Sequence, residues 1–324
     1  FFGKGKMIWL IGCNGMLGQE VARQLNENKF HWVGTDKEVD ITNPDALEDF
    51  ERKNETSSYE ISNLSHSDRQ IKWIINCSAY TNVEKAEEDV ELAEKINTIG
   101  PRNIARLARK IGAKLIHIST DYVFNGKGNV PYTEDLPKMP LGVYGKTKSD
   151  GEDEIAKEMT TYYIIRTAWL YGFDGKNFVY TMTNLMNSKD EIKVVNDQKG
   201  TPTFAGDLAE LIIKIIIKAE KATSFFGRNS ALSYGIYNFT NMGETTWFDF
   251  AQKIQEFGKK YQRITNNCVI NSCNSQEFES KVERPKYSVL DKSKIIKELK
   301  IKIPEWQTSL EKFIKSNRFN NSEY

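Results

Sequence analysis

The sequence predicts an α/β chain, a doubly wound parallel sheet with a smaller mixed lobe behind it. Three observations lead there. Short apolar runs alternate with amphipathic helical stretches through the first half, the rhythm of a parallel sheet covered on both faces. A glycine-rich turn, Gly12-Cys-Asn-Gly15-Met-Leu-Gly18, joins the first apolar run to the first helical pattern. After about Trp169 the rhythm loosens into mixed elements, where a substrate-binding lobe is expected. A chain of 324 residues has room for both parts.

Residues 7–11 form the first expected strand, and Leu17, Val21 and Leu25, spaced by four, mark the helix after it. A second strand at 32–35 ends at Asp36, and 71–75 is a third. A long helix covers about 90–111, with Leu92, Ile96, Ile104, Leu107 and Ile111 on one face; Gly112 stops it. The fourth strand is 114–118, a helix runs from Tyr144 towards Met159, and the fifth strand is 162–166. Beyond these come a helix at 178–186, a strand near Val194, a helix at 207–218, a strand at 236–239, a helix at 246–257 and a last helix from near Trp306. The expected division gives 7–170 to a nucleotide-binding domain, with segments from about 191–220 and 235–243 returning to it. The rest of 171–324 forms the substrate lobe. Residues 54–69, polar and patternless, and 222–234, rich in Ser, Gly and Asn, read as surface insertions.

Composition removes several function classes. Lys+Arg total 45 and Asp+Glu 44, a net charge of +1, so no overall field attracts nucleic acid or an acidic membrane. The longest apolar stretch, 211–217, is broken by Lys214 and is too short to span a bilayer. The four cysteines, Cys13, Cys77, Cys268 and Cys273, include no CxxC pair, which argues against a disulfide scaffold or thiolate zinc and for a reducing, cytoplasmic compartment. Residues 1–6 are too short for a secretory apolar region, and Met7 is the expected natural start. Only three histidines exist, His31, His66 and His117, and none has an evident partner beside it. Proton chemistry therefore falls to another residue type, and the chain has 14 tyrosines.

The glycines are the first functional signal. Gly12, Gly15 and Gly18 let the backbone turn sharply and approach a pyrophosphate, which the following helix N-terminus attracts. Asp36 ends the second strand eighteen residues after Gly18, close to the ~20 expected of an acid that binds an adenine ribose. Together they predict a Rossmann-type dinucleotide site. The Asp36 carboxylate favours NAD(H), while Lys37 beside it leaves NADP(H) open. The three-and-three glycine spacing is that of the extended short-chain dehydrogenase/reductases.

Tyr144 and Lys148 are the second signal. Four apart at the start of a helix, they share one face. The neighbouring cation is expected to lower the phenol pKa and fit it to protonate a developing alkoxide. The fourth strand runs into Ser119-Thr120-Asp121-Tyr122, at the strand end that opens on the cofactor crevice. A hydroxyl there can orient a substrate carbonyl.

From Met7 onward the chain resembles the dTDP-4-dehydrorhamnose reductase family over essentially its whole length. The resemblance rests on Gly15-Met-Leu-Gly18, Asp40-Ile-Thr42, the Asn76–Glu87 stretch, Ser119-Thr-Asp-Tyr-Val-Phe124 and Val143-Tyr-Gly-Lys-Thr-Lys148. It continues through Arg166-Thr-Ala-Trp-Leu-Tyr171, Asn196-Asp-Gln-Lys-Gly-Thr-Pro-Thr203, Gly243-Glu-Thr-Thr-Trp247 and Arg284-Pro-Lys-Tyr-Ser288. It implies an NADH- or NADPH-dependent reductase acting on the C4 ketone of dTDP-4-dehydro-β-L-rhamnose, a nucleotide-sugar step of cell-surface polysaccharide synthesis, and it allows a homodimer. By the same resemblance Gly15, Met16 and Leu17 line the diphosphate, and Asp36, Asp40 and Ile41 surround the adenosine. Ala79, Tyr80 and Thr81 lie by the riboses. Thr120 orients the carbonyl, Tyr144 donates the proton, and Lys148 positions cofactor and phenol. Asp121 and Trp169 meet the sugar nucleotide, and Asn97 supports a proton relay. Some members join subunits through Mg²⁺ held by two glutamates. Glu20 matches the first place, but Gly206 stands at the second, so a structural Mg²⁺ is doubtful here. Two other readings share these motifs: a reductase or epimerase of another nucleotide sugar, and a non-catalytic regulator like the regulatory subunit of methionine adenosyltransferase.

Overall fold

The apolar runs fold as parallel strands β1 (Met7–Ile11), β2 (His31–Thr35), β3 (Ile71–Asn76), β4 (Lys114–Thr120) and β5 (Tyr162–Thr167) in a computed structural model. It describes residues 6–56, 69–222, 232–277 and 282–320. All five β1 residues are buried, because both faces of the sheet are covered. Ile8 and Leu10 point to one face and Met7, Trp9 and Ile11 to the other. The helices of this half are α1 (Met16–Glu27), α2 (Pro44–Thr56), the short α3 (Val83–Ala86), α4 and α5 (Val143–Glu158). Helix α4 departs from the predicted face at its start: Leu92 is exposed and Ala93 buried instead, and Val90–Glu94 passes through a π-helical turn, Lys95–Ile99, into Gly100–Ile111, where Ile104 and Leu107 are buried as expected. Such turns recur at functional sites, and this one carries Asn97.

The second half adds β6 (Leu170–Tyr171), α6 (Phe178–Ser188), β7 (Glu191–Val195), β8 (Lys199–Gly200), β9 (Thr203–Phe204) and α7 (Ala205–Ala222). Then come β10 (Gly235–Asn238), β11 (Thr245–Thr246), α8 (Trp247–Lys260), β12 (Val269–Cys273), α9 (Ser293–Leu299) and α10 (Trp306–Lys315). Strand β10 returns to pair with β5, completing a six-stranded sheet in the order β10-β5-β4-β3-β1-β2. The strand order reverses at β1, which pairs with β2 on one side and β3 on the other. A ligand crevice opens at the carboxyl ends of such strands.

Helix α7 also returns, packing Leu208, Ile212 and Ile215 with Leu17, Val21 and Leu25 of α1 on one face. On the other face Ile104, Leu107 and Ile155 cover Trp9, Ile11 and Ile74. The segment from about 191 does not return as expected: β7 pairs in parallel with β12 in a separate two-stranded ribbon. Its burial explains this, since Ile192 and Val194 face inward while Glu191 and Lys193 are exposed, a one-sided strand unsuited to a doubly covered sheet. The returning chain begins at α7. The second core, around Phe204, Phe250 and Phe313, belongs to α6, α8 and α10 with these small ribbons. Of the two expected insertions, 57–68 and 223–231 lie outside the described residues; helices α2 and α7 run up to them. Among the described residues no helix is long and apolar enough to cross a membrane.

Candidate active site

The crevice starts at the glycine turn. Gly12 has φ +78°, and a Cβ there would lie 2.8 Å from the Ser78 nitrogen. A Cβ on Gly18 would lie 2.0 Å from the Gly12 oxygen, so this glycine lets α1 press against the turn. Gly15 is free of such crowding: its hypothetical Cβ meets only the Gly12 oxygen, at 3.4 Å. Helix α1 has no side-chain N-cap bond and no acid in its first turn. Its leading N–H groups and partial positive charge are thus available to an anion, and the cradle fits a dinucleotide diphosphate. The backbone N–H of Gly12 donates to Thr35 O (2.7 Å) and that of Asn14 to Asp36 Oδ2 (3.1 Å), fixing the turn to the end of β2.

From this cradle a cleft of ≈ 970 Å³ extends to the second half of the chain. Gly12, Gly15, Met16 and Leu17 line its first end, with Asp36, Asp40 and Ile41 along one edge and Ala79 and Thr81 beyond β3. Thr120, Asp121, Tyr144, Lys148 and Trp169 line its other end. Three residues of the expected set lie behind the walls. Gly18 packs beneath the turn, and the Tyr80 hydroxyl points away to donate to Asp89 Oδ2 (2.7 Å). Asn97 is buried: Oδ1 accepts from the Tyr80 N–H (2.9 Å), and Nδ2 donates to Tyr80 O (3.1 Å) and Thr147 Oγ1 (3.2 Å). Its amide thereby ties the loop after β3 to α5.

Helix α5 reaches the site because Gly145 allows it; a Cβ there would lie 2.3 Å from Tyr122 O. Its first turn is held by Glu87, whose Oε1 accepts from the Val143 N–H (2.8 Å). The Thr120 hydroxyl accepts from the Tyr122 N–H (3.2 Å) and donates to Asp121 Oδ1 (2.9 Å). Asp121 Oδ2 is buried without a hydrogen-bond partner; the Ser288 hydroxyl approaches the carboxyl without bonding that oxygen. Burial pushes Asp121 up to about 6, against the hydrogen bonds at Oδ1 and the nearby N–H groups.

Tyr144 does not behave as its spacing from Lys148 suggests. Enclosure raises the phenol pKa, and Asp121 and Tyr122 add to the rise against a hydrogen bond with Thr120. The ring sits edge-on to Tyr122, with centroids 5.5 Å apart. Lys148 shares the helix face but turns inward, donating to Ile118 O (2.6 Å) and meeting His117 Nε2 at 3.3 Å. The expected lowering of the phenol pKa is therefore corrected: the lysine's amino group is drawn to β4. Burial in turn lowers Lys148 to about 8.

The far mouth is aromatic. Trp169, at φ +47°, stacks on Trp247 with ring centroids 3.5 Å apart, and Phe178 packs against Trp247. Gly200 makes the space, since a Cβ there would lie 2.6 Å from Trp169 Cε2. Strands β8 and β11 pair beside it, and Ser288 N–H donates to Lys199 O (2.8 Å). The late motifs thus converge on one place.

The profile of the RmlD substrate binding domain family matches residues 6–319. A dTDP-4-dehydrorhamnose reductase of Aggregatibacter actinomycetemcomitans is 33% identical, over 93% of this chain and 96% of its own. The chain belongs to the dTDP-4-dehydrorhamnose reductase family. Solved structures agree. A family member from Clostridium acetobutylicum is 38% identical with a TM-score of 0.82, covering 95% of this chain and 98% of that one. Another, from Bacillus anthracis in complex with NADP, is 35% identical with a TM-score of 0.80, over 95% and 98%.

Within this reductase family, Glu20 is the residue that matched a metal ligand. Here it is buried and ion-paired to Arg23 (2.9 Å) and Arg318. Asp207, next to Gly206, is bonded to Asn241 Nδ2 (2.7 Å) and to Ser309. Among the described residues no group of His, Cys, Asp or Glu is arranged to hold a metal ion. Sequence reasoning missed Trp247, Phe178 and Lys176, which also line the cleft. Trp247 had a signal, since it closes the Gly243–Trp247 motif; Phe178 and Lys176 had none.

Proposed function

We propose that this chain reduces the C4 ketone of dTDP-4-dehydro-β-L-rhamnose to dTDP-L-rhamnose, using NADH or NADPH. One observation carries the reading: a single cleft joins the glycine cradle to Thr120, Asp121, Tyr144, Lys148 and Trp169. When bound, the reduced nicotinamide supplies a hydride to the ketone carbon. Gly12, Gly15, Met16 and Leu17 would hold its diphosphate, with Asp36, Asp40 and Ile41 around the adenosine and Ala79 and Thr81 beside the riboses. Gly18, Tyr80 and Asn97 would support these contacts from behind.

The chain's own groups account for the proton. The raised pKa keeps the Tyr144 phenol protonated at neutral pH, the form a reduction requires, and an alkoxide is basic enough to take that proton. Thr120, by shifting its hydroxyl donation from Asp121 Oδ1 to the ketone oxygen, would orient the carbonyl. Lys148 would hold the nicotinamide ribose beside the phenol. The dTDP group, seated towards Trp169 and the second half of the chain, offers remote binding energy to align the ketone. In this reading residues 7–170 with 205–222 and 235–243 form the cofactor part, and the remainder of 171–324 the substrate part. The work is cytoplasmic, and the reading allows a homodimer, which light scattering of the purified chain distinguishes from a monomer.

The test is spectrophotometric: dTDP-4-dehydrorhamnose with NADH and NADPH in parallel. Substrate-dependent oxidation with either supports the proposal. Silence with both overturns it, and oxidation only with other nucleotide-sugar ketones moves the activity to a sister reductase. A non-catalytic regulator is disfavoured by the joint presence of Thr120, Tyr144 and Lys148 in the cleft.

A further inference from the structure

His117, without a partner in the sequence, has two in the fold. Its ring is fully buried in β4, with Asn76 Nδ2 at 3.1 Å from Nδ1 and Lys148 Nζ at 3.3 Å from Nε2. A neutral imidazole donates at one nitrogen and accepts at the other, so it cannot accept from both neighbours. Asn76 decides between them. Its Oδ1 accepts from the Ser78 N–H at 3.0 Å and from the Ser78 hydroxyl at 2.5 Å. Turning the amide round would set its N–H against the Ser78 N–H, so Nδ2 must face His117. Nδ1 is then the accepting nitrogen and Nε2 carries the proton, directed at Lys148. A nitrogen that receives an N–H must present a lone pair.

We propose that His117 is a positioning residue: in its Nε2–H tautomer it holds Lys148 as the neutral amine in the cofactor-free site, and protonation of Lys148 is linked to a switch of that tautomer. The other groups around the ammonium position are few. Glu152 and Cys77 favour the charged form, Tyr144 stands one turn earlier on α5, and burial outweighs them, lowering Lys148 to about 8. Burial, aided by Lys148, also keeps the His117 pKa well below its ordinary value, so the ring changes tautomer rather than charge. Lys148 keeps its donation to Ile118 O in either state. Below about pH 8 the ammonium drives Nε2 to accept, and Nδ1–H then opposes the Asn76 amide. The ring thus opposes charging of the lysine that, on the reductase reading, holds the ribose; only this consequence rests on that reading.

The test is ¹⁵N NMR of the full chain labelled at histidine, free of cofactor. Three histidines give three pairs of ring signals, and H117Q identifies the buried pair. At pH 9 the expected pattern is a pyridine-like Nδ1 and a pyrrole-like Nε2. As the pH falls through 8 towards 6.5, the pattern should move to Nδ1–H. The reverse pattern at pH 9, an imidazolium at pH 7, or an unchanged tautomer across the range would each overturn the proposal. N76D supplies an acceptor for Nδ1–H and should give that tautomer even at pH 9; retention of Nε2–H would also overturn it. None of these signals requires turnover, so they stand apart from a failure of the NAD(P)H assay.

Discussion

Replacing Asp121 with Asn should make the protein more stable at pH 8 and less active. The carboxyl is 4% exposed, and one of its oxygens is buried without a hydrogen-bond partner. Its pKa rises from 3.8 to about 6, chiefly through burial. Because the folded-state value lies above the unfolded one, the favourable contribution is complete only below pH 3.8 and is lost as the pH climbs through 6. A shift of roughly two units means the ionised form burdens the fold by about 3 kcal/mol at pH 8. Asn removes the charge and keeps an oxygen for Thr120, but it puts an N–H₂ in an enclosed place that only the Ser288 hydroxyl approaches, at a cost of ~1–2 kcal/mol. The net expectation is a gain of about 1–2 kcal/mol at pH 8 and a loss of about 1 kcal/mol at pH 4. Urea unfolding at the two pH values measures it. An equal gain at both, or a loss at pH 8, would refute the reasoning. Turnover should fall in the same variant, since the carboxylate that faces the sugar nucleotide in the proposed complex is lost.

Three further outcomes follow from the cleft. Y144F should lose on the order of 10²–10⁴ in reductase turnover while binding NADH as before by fluorescence titration; near-full activity would remove Tyr144 as proton donor. D36A should raise the NADPH-to-NADH ratio of kcat/KM by about tenfold, the repulsion between a carboxylate and a 2′-phosphate being worth at least ~1.4 kcal/mol at partly exposed sites; an unchanged ratio would mean another group reads the ribose. G18A should lower stability in thermal unfolding by ~1–3 kcal/mol, because its Cβ falls 2.0 Å from the Gly12 oxygen and backbone cannot step aside as a side chain can. An unaffected melting point there would show that the turn has slack.

What could be read in the sequence was what local rules determine. All six strands of the central sheet were legible, most plainly where continuous burial leaves an unbroken apolar run, as in Met7–Ile11; β2 and β10, only partly buried, leave shorter ones. Helix α2 was missed, since Leu47 and Phe50 are nearly all it offers the core from a very polar segment. Strand β7 was legible as a strand but not by its partner, because alternation fixes which face is buried and says nothing of which edge pairs. The same limit governs the site. Four-residue spacing places Tyr144 and Lys148 on one helix face, yet the long lysine chain is free to reach any acceptor within its radius. Here the nearest is a carbonyl of β4, thirty residues back in the chain, and the phenol is left to its enclosure. His117 and Trp169 were misjudged or half-judged for one reason. Their partners, Asn76, Lys148 and Trp247, come from other elements, and no period links them. Motif strings recovered some of this because a string such as Asn196–Thr203 records a three-dimensional demand, in this case the missing Cβ of Gly200 beneath an indole. The proton chemistry of the cleft therefore depends less on the Tyr144–Lys148 pair than on what each of them meets across the sheet. A ligand that draws Lys148 off β4 would change the electrostatics of the phenol without moving α5 at all.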